Sequence, residues 1–207
     1  MKLTTINLLA ISAMAAASNI TPANIIAIAP TTSSCSSASI ASECRTADQA
    51  VKWINFANSN FGLTTFASQA AVLSLMLYES GNFQYSRNHF PAPGRPGQGT
   101  RNMQMPPANL KFARWLANVC LNCRISSDSV EKANTQGPDA VLALVNTDEF
   151  GFASAAWYLK TQCTADVQAE LAKGTQAGWE RYMACVGVSA TEDRTAVWKK
   201  AMALGKW

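Results

Sequence analysis

A chain of 207 residues, 48% of them hydrophobic, is long enough for one domain with a sizeable core. Its formal charge of +4 comes from 17 Lys and Arg against 13 Asp and Glu. That excess is mild and forms no basic run, which argues against nucleic acid as a partner but suits an anionic wall polymer.

The chain opens MKLTTINLLAISAMAAA, with Lys2, an apolar run and then small residues. This reads as a secretory signal peptide over residues 1–17 rather than a membrane span, because the apolar run is too short. Cleavage is expected after Ala17, with Ala29 as a second position. No later segment is apolar enough to cross a bilayer, so no membrane partner is expected. Asn19-Ile20-Thr21 is a glycosylation sequon that matters only if cleavage falls before it in a eukaryotic source. Residues 18–45 are rich in Ser, Thr, Ala and Pro and read as a flexible tail, fixed at its end by a local disulfide. The domain proper is expected over 46–207.

Six cysteines stand at 35, 44, 120, 123, 163 and 185. An even count behind a signal peptide predicts three disulfides. Cys35 and Cys44 are close enough to pair with each other. Cys163 and Cys185, on neighbouring helices, pair either with each other or with Cys120 and Cys123. One histidine and no second close Cys pair argue against zinc, and nothing indicates another cofactor.

Thr46 is a good N-cap for a first helix over about 47–58 carrying Val51, Ile54 and Phe56, with Gly62 ending it. A helix over about 64–80 follows. From Ala70 to Tyr78 only Ser74 is polar, so this helix should be buried on all sides. Gly81 supplies the left-handed residue that stops it. Pro106 and Pro107 open another helix, with Leu110, Ala113, Leu116 and Ala117 inward. Short helices are expected over 126–134 and 139–146, and a longer one through FGFASAAWYLKTQC. Thr164, Thr175 and Thr191 cap three more, the last with Glu192 and Asp193 in its first turn and Lys199 and Lys200 in its last. About eight helices and no alternating strand make the class all-α, and one such domain is expected to be a monomer.

Between the second and third helices lies a long irregular stretch, SGNFQYSRNHFPAPGRPGQGTRNMQM. A loop of this length inside a compact domain is usually functional. It interleaves Phe83, Tyr85, His89 and Phe90 with arginines, as an ordered lip over a cleft would, and within 82–102 it is either irregular or a short hairpin. Glu79 stands just before it, at the end of the buried helix. Desolvation and the negative end of the helix dipole both favour its neutral form, the condition for a proton donor. The competing reading is a surface glutamate paired with Arg87, Arg95 or Arg101.

Glu79-Ser80 at a helix end, followed by a Gly-rich loop closing in Met103-Gln104-Met105-Pro106, resembles the Glu-Ser … Gly-x-Met-Gln pattern of soluble lytic transglycosylases and goose-type lysozymes. The match covers about 30 residues of the chain. The string NHFPAPGRPGQGTRNMQ is similar to small secreted fungal proteins within or near that lysozyme-like superfamily. The resemblance implies a helical domain in which Glu79 is the catalytic acid/base, Ser80 supports it, and Met103 and Gln104 line sugar subsites; apart from the resemblance, the side-chain amides of Asn102 and Gln104 suit N-acetyl and hydroxyl recognition, or else bond within the loop. The resemblance also implies a substrate contact from Tyr182, although Arg181-Tyr182-Met183 departs from the family's Ala-Tyr-Asn. Arg101-Asn102 likewise stands where small residues are usual.

Glycoside hydrolysis usually needs two carboxylates. Asp148 and Glu149 are candidates for the second, and helix N-terminal charge is their simpler role. The resembled transglycosylases need only one, since the sugar's own 6-hydroxyl attacks. Ser80 could instead bond backbone at the helix end, Tyr182 could be core, and His89 reads as loop structure or a rim contact. The expected function is cleavage of a β-1,4-linked N-acetylhexosamine polymer. The alternative is a non-catalytic carbohydrate-binding or effector protein.

Overall fold

The computed structural model describes residues 19–119 and 125–207. The expected signal peptide, and Cys120 and Cys123, lie outside them. Ten α-helices make up the described residues: α1 (Pro22–Ile28), α2 (Ala47–Asn60), α3 (Phe66–Glu79), α4 (Pro106–Val119), α5 (Ser127–Gln136), α6 (Pro138–Val145), α7 (Asp148–Gln162), α8 (Ala165–Ala172), α9 (Gln176–Cys185) and α10 (Glu192–Met202). No strand is present among them, so the fold is all-α. None of these helices is long and apolar enough to cross a membrane.

The caps are largely those the sequence names. Thr46, Thr164 and Thr175 each accept a backbone N–H of their helix's first turn. Thr191 holds the N-cap position of α10, but its hydroxyl turns to the Asp193 carboxylate instead. The tail of 18–45 is not loose. Thr21 and Asn24 form a capping box that starts α1, and Ile20, Ile25 and Ile28 enter the core. The Asn55 side chain on α2 both accepts from the Ile20 amide at 3.0 Å and donates to the Ile20 carbonyl at 2.8 Å. Apolar burial therefore overrides the Ser/Pro-rich composition of this segment.

Helix α3 is the axis of the molecule. Every residue from Ala67 to Leu77 is buried, with α7, α8 and α10 packed around it. Its end is a Schellman motif: the Asn82 amide donates to the Leu77 carbonyl at 2.7 Å and the Gly81 amide to the Tyr78 carbonyl at 3.3 Å. Gly81 has the left-handed φ of 59° this requires. Disulfides join Cys35 to Cys44 and Cys163 to Cys185, each with Cα atoms 5.8 Å apart. Cys163 and Cys185 are thus unavailable to Cys120 and Cys123.

The loop of 80–105 is ordered by long-range bonds rather than by a hairpin. Only isolated antiparallel bridges form, Arg87 with Gly99 and Gly99 with Gln104. Arg101 is its buried hub. Its guanidinium donates to the carbonyls of Phe83, Tyr85 and Glu43 at 2.8–3.1 Å and lies 4.9 Å from the centre of the Phe152 ring. Gly99 packs so closely on α6 that an added Cβ would stand 2.7 Å from Leu142 and 2.9 Å from the Ser86 carbonyl.

Candidate functional site

The end of α3, the loop and the turn after α9 enclose a cleft of about 370 Å3. That lies within the range of small-molecule sites, roughly 300–1,000 Å3. Leu75 and Glu79 line it from α3, and Gln98, Asn102, Met103 and Gln104 from the loop. Tyr158 of α7 and Val186 to Val188 close the other side, while Arg95 and Met105 stand at the lip. The local backbone is strained where the side chains matter. Met103 has φ 48° and Thr100 φ 61°, a region that costs non-glycine residues on the order of 1 kcal/mol or more.

Glu79 ends α3 with its side chain only 16% exposed. One carboxylate oxygen, Oε1, accepts from Arg194 Nε of α10 at 3.0 Å. Burial pushes the carboxyl above its ordinary range and is the largest influence. The Arg194 hydrogen bond and charge pull it back, and the negative charge of Asp193 pushes it up again; the net shift is upward. Arg194 lies over the Tyr78 ring, 4.7 Å from its centre. The Tyr78 hydroxyl donates to Asp193, whose carboxylate also accepts from Thr191 and is thereby held down at about 2. None of the arginines expected to partner Glu79 does so. Arg87 pairs with Asp139 at 2.6 Å and Arg101 lies 3.8 Å from Asp148, while Arg95 has no acid within 4 Å among the described residues.

Asn102 and Gln104 reach the cleft as part of a buried polar network. Asn102 Oδ1 accepts from the hydroxyls of Thr100 and Ser154, both at 2.7 Å. Gln104 Nε2 donates to Asn109 Oδ1 at 2.7 Å. Asn109, fully buried on α4, also donates to the carbonyls of Gly97 and Gln104 at 2.8 and 3.2 Å. The inner stripe of α4 therefore begins at Asn109, Phe112 and Ala113 rather than at Leu110. The lone Asn in Pro-Pro-Ala-Asn-Leu was a sequence signal for this role, since an amide side chain is unusual on a buried face.

Neither Ser80, expected to support Glu79 or reach the sugar, nor Tyr182, expected to contact substrate, lines the cleft. Ser80 is fully buried; its hydroxyl donates to the Met76 carbonyl at 2.6 Å and accepts the Phe83 amide at 2.9 Å, tying the loop to α3. Tyr182 is fully buried on α9, beside Trp179, and its hydroxyl has no hydrogen-bond partner among the described residues. Burial drives its pKa far up. The possible second acids also lie elsewhere. Asp148 pairs with Arg45 at 2.7 Å, and Glu149 borders a separate apolar groove with Phe56, Phe61 and Trp115. His89 bonds Glu43 at 2.9 Å and packs against the Tyr85 ring, so it is loop structure. Among the described residues, Glu79 is the only carboxylate lining the cleft, and no cluster of His, Cys, Asp or Glu could hold a metal ion.

Comparison with known proteins gives one partial likeness. The chain is 42% identical over 136 residues to a protein of Fusarium oxysporum (strain Fo5176) named bifunctional dioxygenase (DOX)-epoxy alcohol synthase (EAS). The match covers 61% of this chain and 10% of that protein, so the chain spans about a tenth of its relative's length. No family model and no solved structure matches.

Proposed function

We propose that the protein is a secreted, lysozyme-like glycosidase that cleaves β-1,4-linked N-acetylhexosamine polymers, peptidoglycan before chitin, with Glu79 as its single acid/base. The observation that carries this reading is a largely buried carboxyl, pushed toward its neutral form, in a cleft whose other side-chain donors include the amides of Gln98, Asn102 and Gln104. Amides of this kind suit the acetamido and hydroxyl groups of such sugars. Secretion is supported by two disulfides, which persist in oxidising compartments, behind a leader-like N-terminus. The matched tenth of the F. oxysporum protein does not bring that protein's named activity to this chain.

Arg194 occupies Oε1 of Glu79, which leaves Oε2 to carry the proton. In the forward step Oε2–H protonates the glycosidic oxygen as its bond to C1 breaks. With one carboxylate in the cleft, the attacking group is the 6-hydroxyl of the same sugar. It closes a 1,6-anhydro ring on C1 and returns its proton to Glu79. No net proton is consumed, and the acid is ready for the next chain.

A second reading, a non-catalytic carbohydrate-binding or effector protein, draws on the same ion pair. Arg194 opposes protonation of Glu79, and neither Ser80 nor Tyr182 is placed to help the chemistry. Mass spectrometry of products from purified peptidoglycan, with wild type beside Glu79→Gln, separates the readings. Anhydro-sugar ends from wild type alone, with a loss of at least about 100-fold in the variant, are expected. Reducing ends would mean hydrolysis instead. Binding without products from peptidoglycan or chitin would leave the non-catalytic reading.

A further inference from the structure

Glu79 and Arg95 are the two charged side chains lining the cleft, and Arg194 of α10 pairs with Glu79 from outside that lining. Glu79 is matched by Arg194, side chain to side chain, and neither has charge to spare. Arg95, at the lip, has no acidic partner among the described residues. An exposed arginine is ordinary on a protein surface; what sets this one apart is how firmly its backbone is fixed. Its amide donates to Asn88 Oδ1 at 2.9 Å, and its Nη1 lies 3.3 Å from the Met105 sulfur, on the cleft rim. The preceding Gly94 has φ 93° and sits so close to the Asn88 carbonyl that an added Cβ would be 2.1 Å from its oxygen. Two residues on, the Gly97 amide donates to Asp139 of α6 at 2.9 Å, and its carbonyl accepts from Asn109. Arg95 is thus pinned on both sides; one fork donor meets the Met105 sulfur, and the remaining donors of the planar guanidinium are left to meet a ligand.

An unmatched guanidinium at the mouth of a cleft selects for anions, because a charge-assisted bond to a carboxylate gains more than a neutral one and repels cations. We propose that Arg95 is the specificity-determining residue of this cleft and that it receives a carboxylate carried by the glycan, so that acidic N-acetylhexosamine polymers are preferred over neutral ones of equal length. This rests on the reading of the cleft as a glycan site. The carboxylate has three possible sources: the lactyl ether of a peptide-free muramic unit, the stem peptide of intact peptidoglycan, or a hexuronic acid unit.

The test uses the full mature chain carrying Glu79→Gln, so that binding is read without turnover. Four tetrasaccharides are titrated calorimetrically: chitotetraose, peptide-free peptidoglycan glycan, the same glycan with its stem peptides, and hyaluronan. At least one acidic glycan should bind about tenfold more tightly than chitotetraose at low salt, and its advantage should shrink at high salt. Which acidic glycan leads identifies the source. Adding Arg95→Ala should bring that glycan down to the affinity of chitotetraose, while Arg95→Lys, which keeps the charge and loses the fork, should retain part of the advantage. Equal binding of neutral and acidic glycans, or a preference that survives Arg95→Ala, overturns the proposal and leaves the glycan reading standing. Failure of all four to bind overturns both.

Discussion

Replacing Arg194 by alanine should expose what burial does to Glu79. In the folded protein the Glu79 carboxyl is already shifted up, burial outweighing the Arg194 bond. The variant loses both downward contributions and keeps the desolvation, so the shift must grow. The folded state then holds its proton to higher pH than the unfolded chain does. Protons bound in the folded state exceed those in the unfolded state between the two pKa values, so stability falls as pH rises through that window. The variant's deficit against wild type should be smallest near the ordinary glutamate range and grow above it. Breaking a fully buried pair by removing one partner costs about 3–5 kcal/mol, and an exposed pair contributes about 0.2–1. The side chains here are 16% and 18% exposed, so the loss at neutral pH should be about 1–2 kcal/mol. For a domain of this size that is roughly 3–6 °C in Tm.

The assay is thermal unfolding by circular dichroism from about pH 4 to about pH 8, with wild type, Arg194→Ala, and the double variant Glu79→Gln/Arg194→Ala. Arg194 also stacks on Tyr78, and that loss is independent of pH. The double variant carries the same stacking loss without a carboxyl to titrate, so the difference between single and double isolates the orphaned charge. It should be near zero at the acid end and grow toward neutrality. A single variant that is equally destabilised at every pH, or a double variant no more stable than the single at neutral pH, would refute the reasoning. In turnover, the larger upward shift should appear as a basic limb of kcat/KM that moves to higher pH in Arg194→Ala, since the proton donor persists longer.

Three further outcomes follow from the packing. Gly99→Ala places a Cβ 2.7 Å from Leu142 and 2.9 Å from a backbone oxygen, and should cost about 1–3 kcal/mol in chemical denaturation with glycan affinity falling in parallel. Asn109→Ala strands the Gly97 carbonyl, takes one of two donors from the Gln104 carbonyl and releases Gln104 Nε2; a loss of about 1–3 kcal/mol and weaker glycan binding, with helix content unchanged by circular dichroism, are expected. Tyr182→Phe removes a buried hydroxyl that has no partner among the described residues, so Tm should hold or rise and turnover should persist; lost turnover would return Tyr182 to the site.

Much of the helical framework was legible because its signals are local. A threonine before an apolar period, a glycine after it and a proline at the first turn each act within four residues, and α2, α3, α7, α8 and α9 lie close to where those signals place them. The failure at α1 is instructive because a local signal was present and was outvoted. Thr21-Pro22 and the spacing of Ile25 and Ile28 suit a capped turn, a pattern that reading the surrounding Ser, Thr and Pro as a tail passes over. Composition averages over residues that the fold treats one at a time.

The site was legible only in part, and the division follows sequence separation. Glu79, Asn102, Met103 and Gln104 share one stretch of chain, and the structure gathers all four around one cleft. Arg194, the residue that most directly opposes protonation of Glu79, lies 115 positions away on a helix whose first turn reads as ordinary dipole compensation. Its neighbour Asp193 contributes to the shift from the same turn, engaged by Tyr78 across that same separation. Nor do the residues announce a left-handed backbone at Phe83, Thr100 or Met103, because there the loop's tertiary bonds outweigh the local preference of a non-glycine residue. A buried candidate carboxyl can therefore be found from its own helix, but the state of its proton is set by groups that only the closed fold brings to it.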